Sequence, residues 1–372
     1  MLTYKIKSDN VTIYNPQAQA DDIGLSNINL SLAVNEAGTL TFSMPPNHRY
    51  YNQVYIFNSI IDVERNGKLI WRGRPINKSM DFSKVIDFEC EGVLAWLNDV
   101  YIPNEYSRSL VRDLNGWIRN ILTAYNENKD ETHKIYIGNI SYTDSSFTLR
   151  PHSYITCFDL LSQVIAEFNA NCYISFNDGK AYLNAIIEND EDYITTNIKP
   201  VRFAINLMDL QQSMDIEGFA TVVIPLGAGQ IPPGQEEADE NYPLTIESVN
   251  NGIRYLKNDS AVTAYGWIET VQIWSDVTSP SELKRIGENY LNLILSSYIT
   301  FDISFIDYSI IDPSMEPVDL LDIILVVSKP HNISISTPLK SISIDLSNPA
   351  NTKFSISKSV TLDLINMIAN NI

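Results

Sequence analysis

Apolar side chains recur at every second position in three stretches near the start of the chain: Ile28, Leu30, Leu32 and Val34, then Leu40, Phe42 and Met44, then Ile86, Phe88 and Cys90. That is the period of a strand with one buried face. Between the last two stretches, Ile61–Arg65 and Lys68–Arg72 flank Asn66-Gly67. This dipeptide readily takes the two positive φ angles of a two-residue hairpin, so the chain is expected to open as antiparallel sheet.

The period then lengthens. Leu110, Leu114, Trp117, Ile118, Ile121, Leu122 and Tyr125 fall at helical spacing, as do Cys157, Leu160, Leu161, Val164, Ile165 and Phe168. Strand-like sequence follows each run, and Cys172–Phe176 and Lys180–Leu183 meet at Asp178-Gly179, a second hairpin signal. Sheet resumes at Phe219–Ile224, and the Gly-, Pro- and acid-rich stretch from Pro225 to Pro243 is predicted to be a mobile loop. Asn251-Gly252 predicts a third hairpin turn. Ser279-Pro280-Ser281-Glu282 predicts a capped helix with Leu283, Ile286, Tyr290 and Leu293 on one face. The remainder reads as strand, alternating at Ile299, Phe301, Ile303 and Phe305 and again at Ile342, Ile344 and Leu346. A buried-type run spans Ile323–Val327, and a short apolar helix-like segment spans Leu362–Ile368.

Composition narrows the function classes. The 372 residues are 44% hydrophobic and 19% charged, enough to build cores for two to four domains. A net charge of −19 argues against any chain-wide grip on nucleic acid. Cys90, Cys157 and Cys172 lack metal or disulfide spacing and read as small buried residues. The chain start has no apolar leader pattern and no stretch has the length of a membrane span, so a soluble protein made in the cytoplasm, without membrane insertion, is expected.

Candidate chemistry is sparse. His48, His133, His152 and His331 sit beside prolines or at a strand start, outside any HExxH arrangement, and turn or surface roles are expected for them. No GxSxG, GxGxxG or GxxxxGKS string occurs, and Asp190-Glu191-Asp192 reads as a solvated turn. Glu236, Glu237, Asp239 and Glu240 read as a solvated run, with a bound cation as the alternative. The 20 Tyr, 13 Phe and 5 Trp lie mostly within the apolar patterns, so core packing is preferred over an exposed sugar-binding face. No catalytic, cofactor-binding or metal-binding residue is assigned.

Several strings together carry a resemblance. Asn35–His48, ending in Pro45-Pro46-Asn47-His48, and the hairpin Val63–Arg74 resemble the N-terminal signature of siphophage tail-hub proteins, the family of tail-associated lysin N-terminal domains and prophage endopeptidase tail proteins. Cys90–Leu97 is similar to that family's C-E-G-x-L-A-x-L and Val223–Gly227 to its V-I-P-L-G. Tyr265–Ile268, Trp274–Thr278 and Ile344–Pro349 continue the match in order.

The resemblance implies a non-enzymatic structural protein at the distal end of a virion tail, similar in fold to the central hub of contractile-tail baseplates. It would form a homotrimeric ring, join a distal tail protein and the tape-measure protein, contact receptor-binding or lytic tail-tip components, and let DNA pass without specific binding. It implies a β-rich α+β fold with two barrel-like antiparallel β domains and two α+β insertions. On this chain the expected division is 1–100 for the first barrel, 101–194 for an α+β domain, 195–226 with 310–372 for the second barrel, and 227–309 for an α+β insertion. Longer relatives carry a hydrolase or receptor-binding extension, whereas this sequence stops at Ile372, so no enzyme and no cofactor are expected. The alternatives are a glycan-binding tail-tip adhesion module, or the hub part of a cell-wall hydrolase whose lytic domain is absent.

Overall fold

The computed structural model describes residues 3–17, 24–103, 112–143, 154–187, 198–214, 218–235, 237, 239–275, 277–297, 299–310, 312, 314–331 and 333–357. The chain divides into two compact units, residues 1–209 with 303–329 and 333–355, and residues 210–302 with 330–332 and 356–372. The expected segments Leu362–Ile368 and Asp190–Asp192, and Leu110 and His152, lie outside the described residues.

The first unit opens with seven strands: β1 (Tyr4–Ser8), β2 (Val11–Tyr14), β3 (Ser26–Ala33), β4 (Thr39–Met44), β5 (Ile61–Arg65), β6 (Lys68–Met80) and β7 (Ile86–Gly92). They lie in the order β2-β1-β5-β6-β7-β4-β3, within an eleven-stranded antiparallel sheet curled into a half-barrel. The predicted alternation sets the register. Leu40 faces Cys90, Phe42 faces Phe88 and Met44 faces Ile86. All six are buried, and the two phenyl rings stack at 5.1 Å between centroids. At the predicted hairpin Asn66 and Gly67 take φ of 52° and 79°.

The late strand Ser341–Asp345 joins the same sheet on the other side of β3, placing Ile342 opposite Leu32 and Ile344 opposite Leu30. Alternation predicted the strand but not its neighbour, because pairing across some 300 residues leaves no local trace.

Two helices, Leu114–Asn126 and Cys157–Phe168, carry the α+β segment of this unit. Asp113 caps the first, its carboxylate accepting from Gly116 N at 2.7 Å, and Thr156 Oγ1 caps the second, accepting from Asp159 N at 2.9 Å. Their apolar stripes, among them Leu114, Trp117, Ile121, Leu160 and Val164, are wholly buried in one core. The sheet behind them pairs Ala170–Asn177 with Lys180–Ile187, and the latter runs parallel to Ile135–Ile140. Asp178 and Gly179 hold the predicted turn at φ of 48° and 72°. The run Ile323–Ser328 is the central strand of a small sheet, between Ile198–Arg202 and Ile333–Pro338, which explains why both of its faces are apolar.

In the second unit the helix Pro280–Ser297 lies over a sheet whose central strand is Val222–Leu226, flanked by Leu256–Lys257 and Glu269–Ile273. Val223, Ile246, Leu256, Leu283 and Leu291 form its core, and Trp274 meets Tyr290 edge-on at 5.7 Å. Three expectations are corrected here. Leu293 is 60% exposed, and Leu291 takes its place on the buried face. Asn251 and Gly252 do take positive φ, but they follow the short helix Glu247–Val249 and close no hairpin. The dipeptide encodes a local backbone geometry and does not supply strands to join. The stretch predicted as a mobile loop contains a paired ribbon, Gly229–Gln230 with Asp239–Pro243. Among the described residues no helix is long and apolar enough to cross a membrane.

Candidate functional site

Three of the strings that carry the resemblance, Asn35–His48, Val63–Arg74 and Cys90–Leu97, meet around Trp71, which is 3% exposed. Three glycines make room for it. A Cβ on Gly38 would lie 3.1 Å from Trp71 Nε1, one on Gly73 would lie 2.3 Å from its ring, and one on Gly92 would lie 2.8 Å from Nε1 and 1.9 Å from the Ala37 carbonyl oxygen. Gly73 and Gly92 face each other across β6 and β7, and Gly92 N donates to Gly38 O at 3.0 Å. Close approach of three backbones to one indole is possible only without side chains.

Charged residues of the same strings fasten this sheet to its neighbours. Arg72 grips Asp62 with two bonds of 2.7 and 2.8 Å, both residues 8% exposed, and donates a third bond of 2.8 Å to the carbonyl of Gly179. Arg74 bridges Glu91 at 2.8 Å and Asp99 at 2.6 and 2.8 Å. Asn35, at φ 63°, exchanges two bonds with the backbone of Cys172, one from its own N–H at 2.8 Å and one to its Oδ1 at 2.7 Å. The converging residues therefore join the first sheet to the hairpin Ala170–Ile187. They form a joint rather than a reaction centre.

His48 ends the Pro-Pro turn, one of the two roles expected of it, but is buried rather than at the surface, at 3% exposure. Its Nε2 lies 2.9 Å from the carbonyl of Ile13 and its Nδ1 accepts from Tyr50 N at 3.2 Å, which fixes the neutral tautomer protonated on Nε2. Both nitrogens are committed to backbone, so the ring ties the turn to β2. His133 pairs with Asp130 at 2.9 Å on the surface, and His331 closes a single helical turn, Lys329–His331. Cys90, Cys157 and Cys172 are free and buried. Burial pushes the thiols of Cys157 and Cys172 up to about 12, far from a nucleophile's range.

A cavity of about 290 Å³ opens on the polar face of β3, β4, β6 and β7. It is lined by Asn27, Thr41, Ser43, Asn77, Asp87 and Glu89, with Ser43 Oγ donating to Asp87 at 2.5 Å. Phe42 and Phe88 lie beneath it at no more than 2% exposure, so their rings offer no face for a sugar to stack on. Among the described residues no group of three or more His, Cys, Asp and Glu side chains could hold a metal ion. In the acidic stretch, Asp239 turns its carboxylate onto Asn241 at 2.8 and 2.9 Å.

Hydrogen bonds hold the surface carboxyls of Asp81, Asp130, Glu131 and Asp312 below their ordinary range, whereas burial raises that of Asp322. Burial pushes Asp322 up to about 6, reinforced by the nearby carboxylates of Asp319 and Glu316, while the Asp319 N–H and Lys199 pull the other way. It sits beside Asp319, which holds Arg65 of β5 at 2.8 Å. A raised folded-state value means that its contribution to stability is fully present below about pH 4 and is lost as pH climbs through 6. Asp322→Asn is therefore expected to stabilise the chain by roughly 1–3 kcal/mol at pH 8, and to leave it unchanged at pH 4, in urea melts. An equal effect at both pH values would show that its charge plays no part.

Sequence reasoning missed the glycine cage, the Arg72–Asp62 pair and the exposed aromatics. Phe82 is fully exposed at the tip joining β6 to β7, and Tyr101, Tyr154 and Trp267 are 62%, 71% and 48% exposed.

The chain matches known proteins in both sequence and fold. Residues 194–364 match the prophage endopeptidase tail family. The 43 kDa tail protein of prophage MuSo2 from Shewanella oneidensis superposes with a TM-score of 0.63 at 10% identity, over 98% of this chain and 99% of that one. A tail protein from Neisseria meningitidis MC58 gives 0.64 at 9%, over 96% and 97%. The prophage tail protein gp18 of Listeria monocytogenes EGD-e gives 0.51 at 12%, over 92% of each chain. No curated protein matches in sequence. Residues 194–364 are thus similar to the prophage endopeptidase tail family, and nearly the whole length of the chain has the fold of prophage tail proteins.

Proposed function

We propose that this chain is a structural subunit of the virion tail, a hub at the distal end of the tail tube, and has no hydrolytic role. The observation that carries the reading is the co-extensive fold: 98% of this chain aligns with 99% of a prophage tail protein. The convergent residues of the first unit act as fasteners, which suits a part that bears load and does no chemistry.

The finer reading is a homotrimeric ring that joins a distal tail protein and the tape-measure protein and gates DNA passage. Two features support it. A charge of −19 suits a channel that DNA crosses without sticking. The first unit also presents apolar side chains that its own core leaves outside. Phe203, Ile205 and Met208 are 46–64% exposed on and beside a turn that Asn206 pins by accepting from Arg202 N at 2.8 Å and donating to Pro200 O at 3.1 Å. Such a fixed apolar knob is the form of a subunit contact.

Imaging of intact tails labelled on this chain tests the placement. Label on a three-fold ring at the distal end is the expected result, and label along the tube or on side fibres would reject the hub.

A further inference from the structure

We propose that the outer edge of the strand Glu269–Ile273 is a docking site for an extended, lysine- or arginine-bearing segment of another protein, taken up as an additional β-strand. The strand is the last in its sheet. All five of its residues pair in parallel with Val222–Leu226 on one side, and no strand covers the other side among the described residues. Its outer backbone N–H and C=O groups are thus available to a further strand.

The side chains along this edge have the character of an interface. Trp267 is 48% exposed, Ile268 39%, Val271 53% and Ile273 62%. The strand has no lysine, no proline and no bulge, the devices that usually blunt an open edge. Its single charge, Glu269, accepts from Trp267 Nε1 at 2.8 Å.

The edge is also fixed in advance. Gly266 sits at φ 85° and ψ −174°, a backbone region open only to glycine, and turns the chain from the helix Asp259–Tyr265 into the strand. Thr221, fully buried, locks that turn by donating to Gly266 O at 2.8 Å and accepting from Ile268 N at 2.9 Å. Trp267 rests edge-on against Tyr255 at 5.0 Å. A partner strand would meet a backbone and an aromatic anchor that need little further ordering.

Charge selects the occupant. Residues 210–302 contain thirteen Asp and Glu against four Lys and Arg. Of those four, Lys257 pairs with Asp259 at 2.6 Å and Lys284 lies 3.9 Å from Glu288. A second copy would set another acid-rich unit against this edge and gain nothing from charge here, whereas a strand alternating basic and β-branched residues meets opposite charge and an apolar row.

The test uses the full chain and a short fluorescent peptide alternating lysine and valine, read by anisotropy at low and physiological salt. Two comparison peptides replace lysine by glutamate or carry N-methyl groups on alternate backbone amides. The lysine peptide is expected to bind, the N-methylated one about ten-fold more weakly or worse, and the glutamate one not at all. Amide exchange on the unaltered chain should gain protection within 269–273. Val271→Lys with Ile273→Lys should weaken binding about ten-fold while circular dichroism is unchanged. Equal binding of the N-methylated peptide, protection elsewhere, or no binding overturns the proposal. So does displacement of the peptide by excess unlabelled chain, which would mark the edge as a contact between copies.

Discussion

Replacing Asp62 by alanine is expected to lower the unfolding free energy by about 3–5 kcal/mol. The carboxylate holds Arg72 through two bonds, and each residue is 8% exposed. Without it the guanidinium keeps its charge and retains, of these three bonds, only the one to the Gly179 carbonyl. The cost is that of a stranded charge rather than of a lost attraction. The double variant Asp62→Leu with Arg72→Met should accordingly recover most of the loss, since a packed apolar pair needs no counter-charge. Urea unfolding of the parent and both variants reads this directly. A single variant within 1 kcal/mol of the parent would show that water reaches the pair.

Gly92→Ala should cost about 3 kcal/mol. The new methyl would lie 1.9 Å from the Ala37 carbonyl oxygen and 2.8 Å from Trp71 Nε1, and the first of these is backbone, which cannot rotate aside. Gly67→Ala supplies the contrast. At Gly67 a Cβ would meet nothing within 4 Å, and only its φ of 79° resists a side chain. About 1 kcal/mol is expected there. Equal losses at the two positions in thermal melts would mean that crowding against Ala37 and Trp71 adds nothing at Gly92.

These residues also mark where the sequence stops being legible. The alternation at Leu40–Met44 and Ile86–Cys90 predicted the strands and their buried faces, because a half-buried sheet must repeat every second residue. The helical stripes from Leu114 and Cys157 were equally plain. What joins these elements left no periodic signal. Gly38, Gly73 and Gly92 each read alone as a turn or a weak strand position, and only the pairing of β6 with β7 gathers them round one indole. His48 read as a surface turn because its acceptor, the carbonyl of Ile13, is 35 residues away. Trp267 and Phe82 lie outside the apolar patterns that account for most of the aromatic residues, and their exposure follows from their places beside an edge strand and at a hairpin tip. Leu293 followed the helical period but is 60% exposed, the buried face turning instead toward Leu291. The absence of catalytic spacing pointed to a structural role, and the resemblance of whole strings, not any one residue, pointed to the tail.

The central claim is a tail hub, and the hub reading requires three copies in a ring. Light scattering of the purified chain across protein concentration and salt measures the assembly mass most directly. Mutual repulsion at −19 per chain should make the ring loosen at low salt and tighten as salt screens it. The account predicts a species of three times 42.0 kDa that gains population with concentration and ionic strength. A mass of 42.0 kDa under every condition would contradict it.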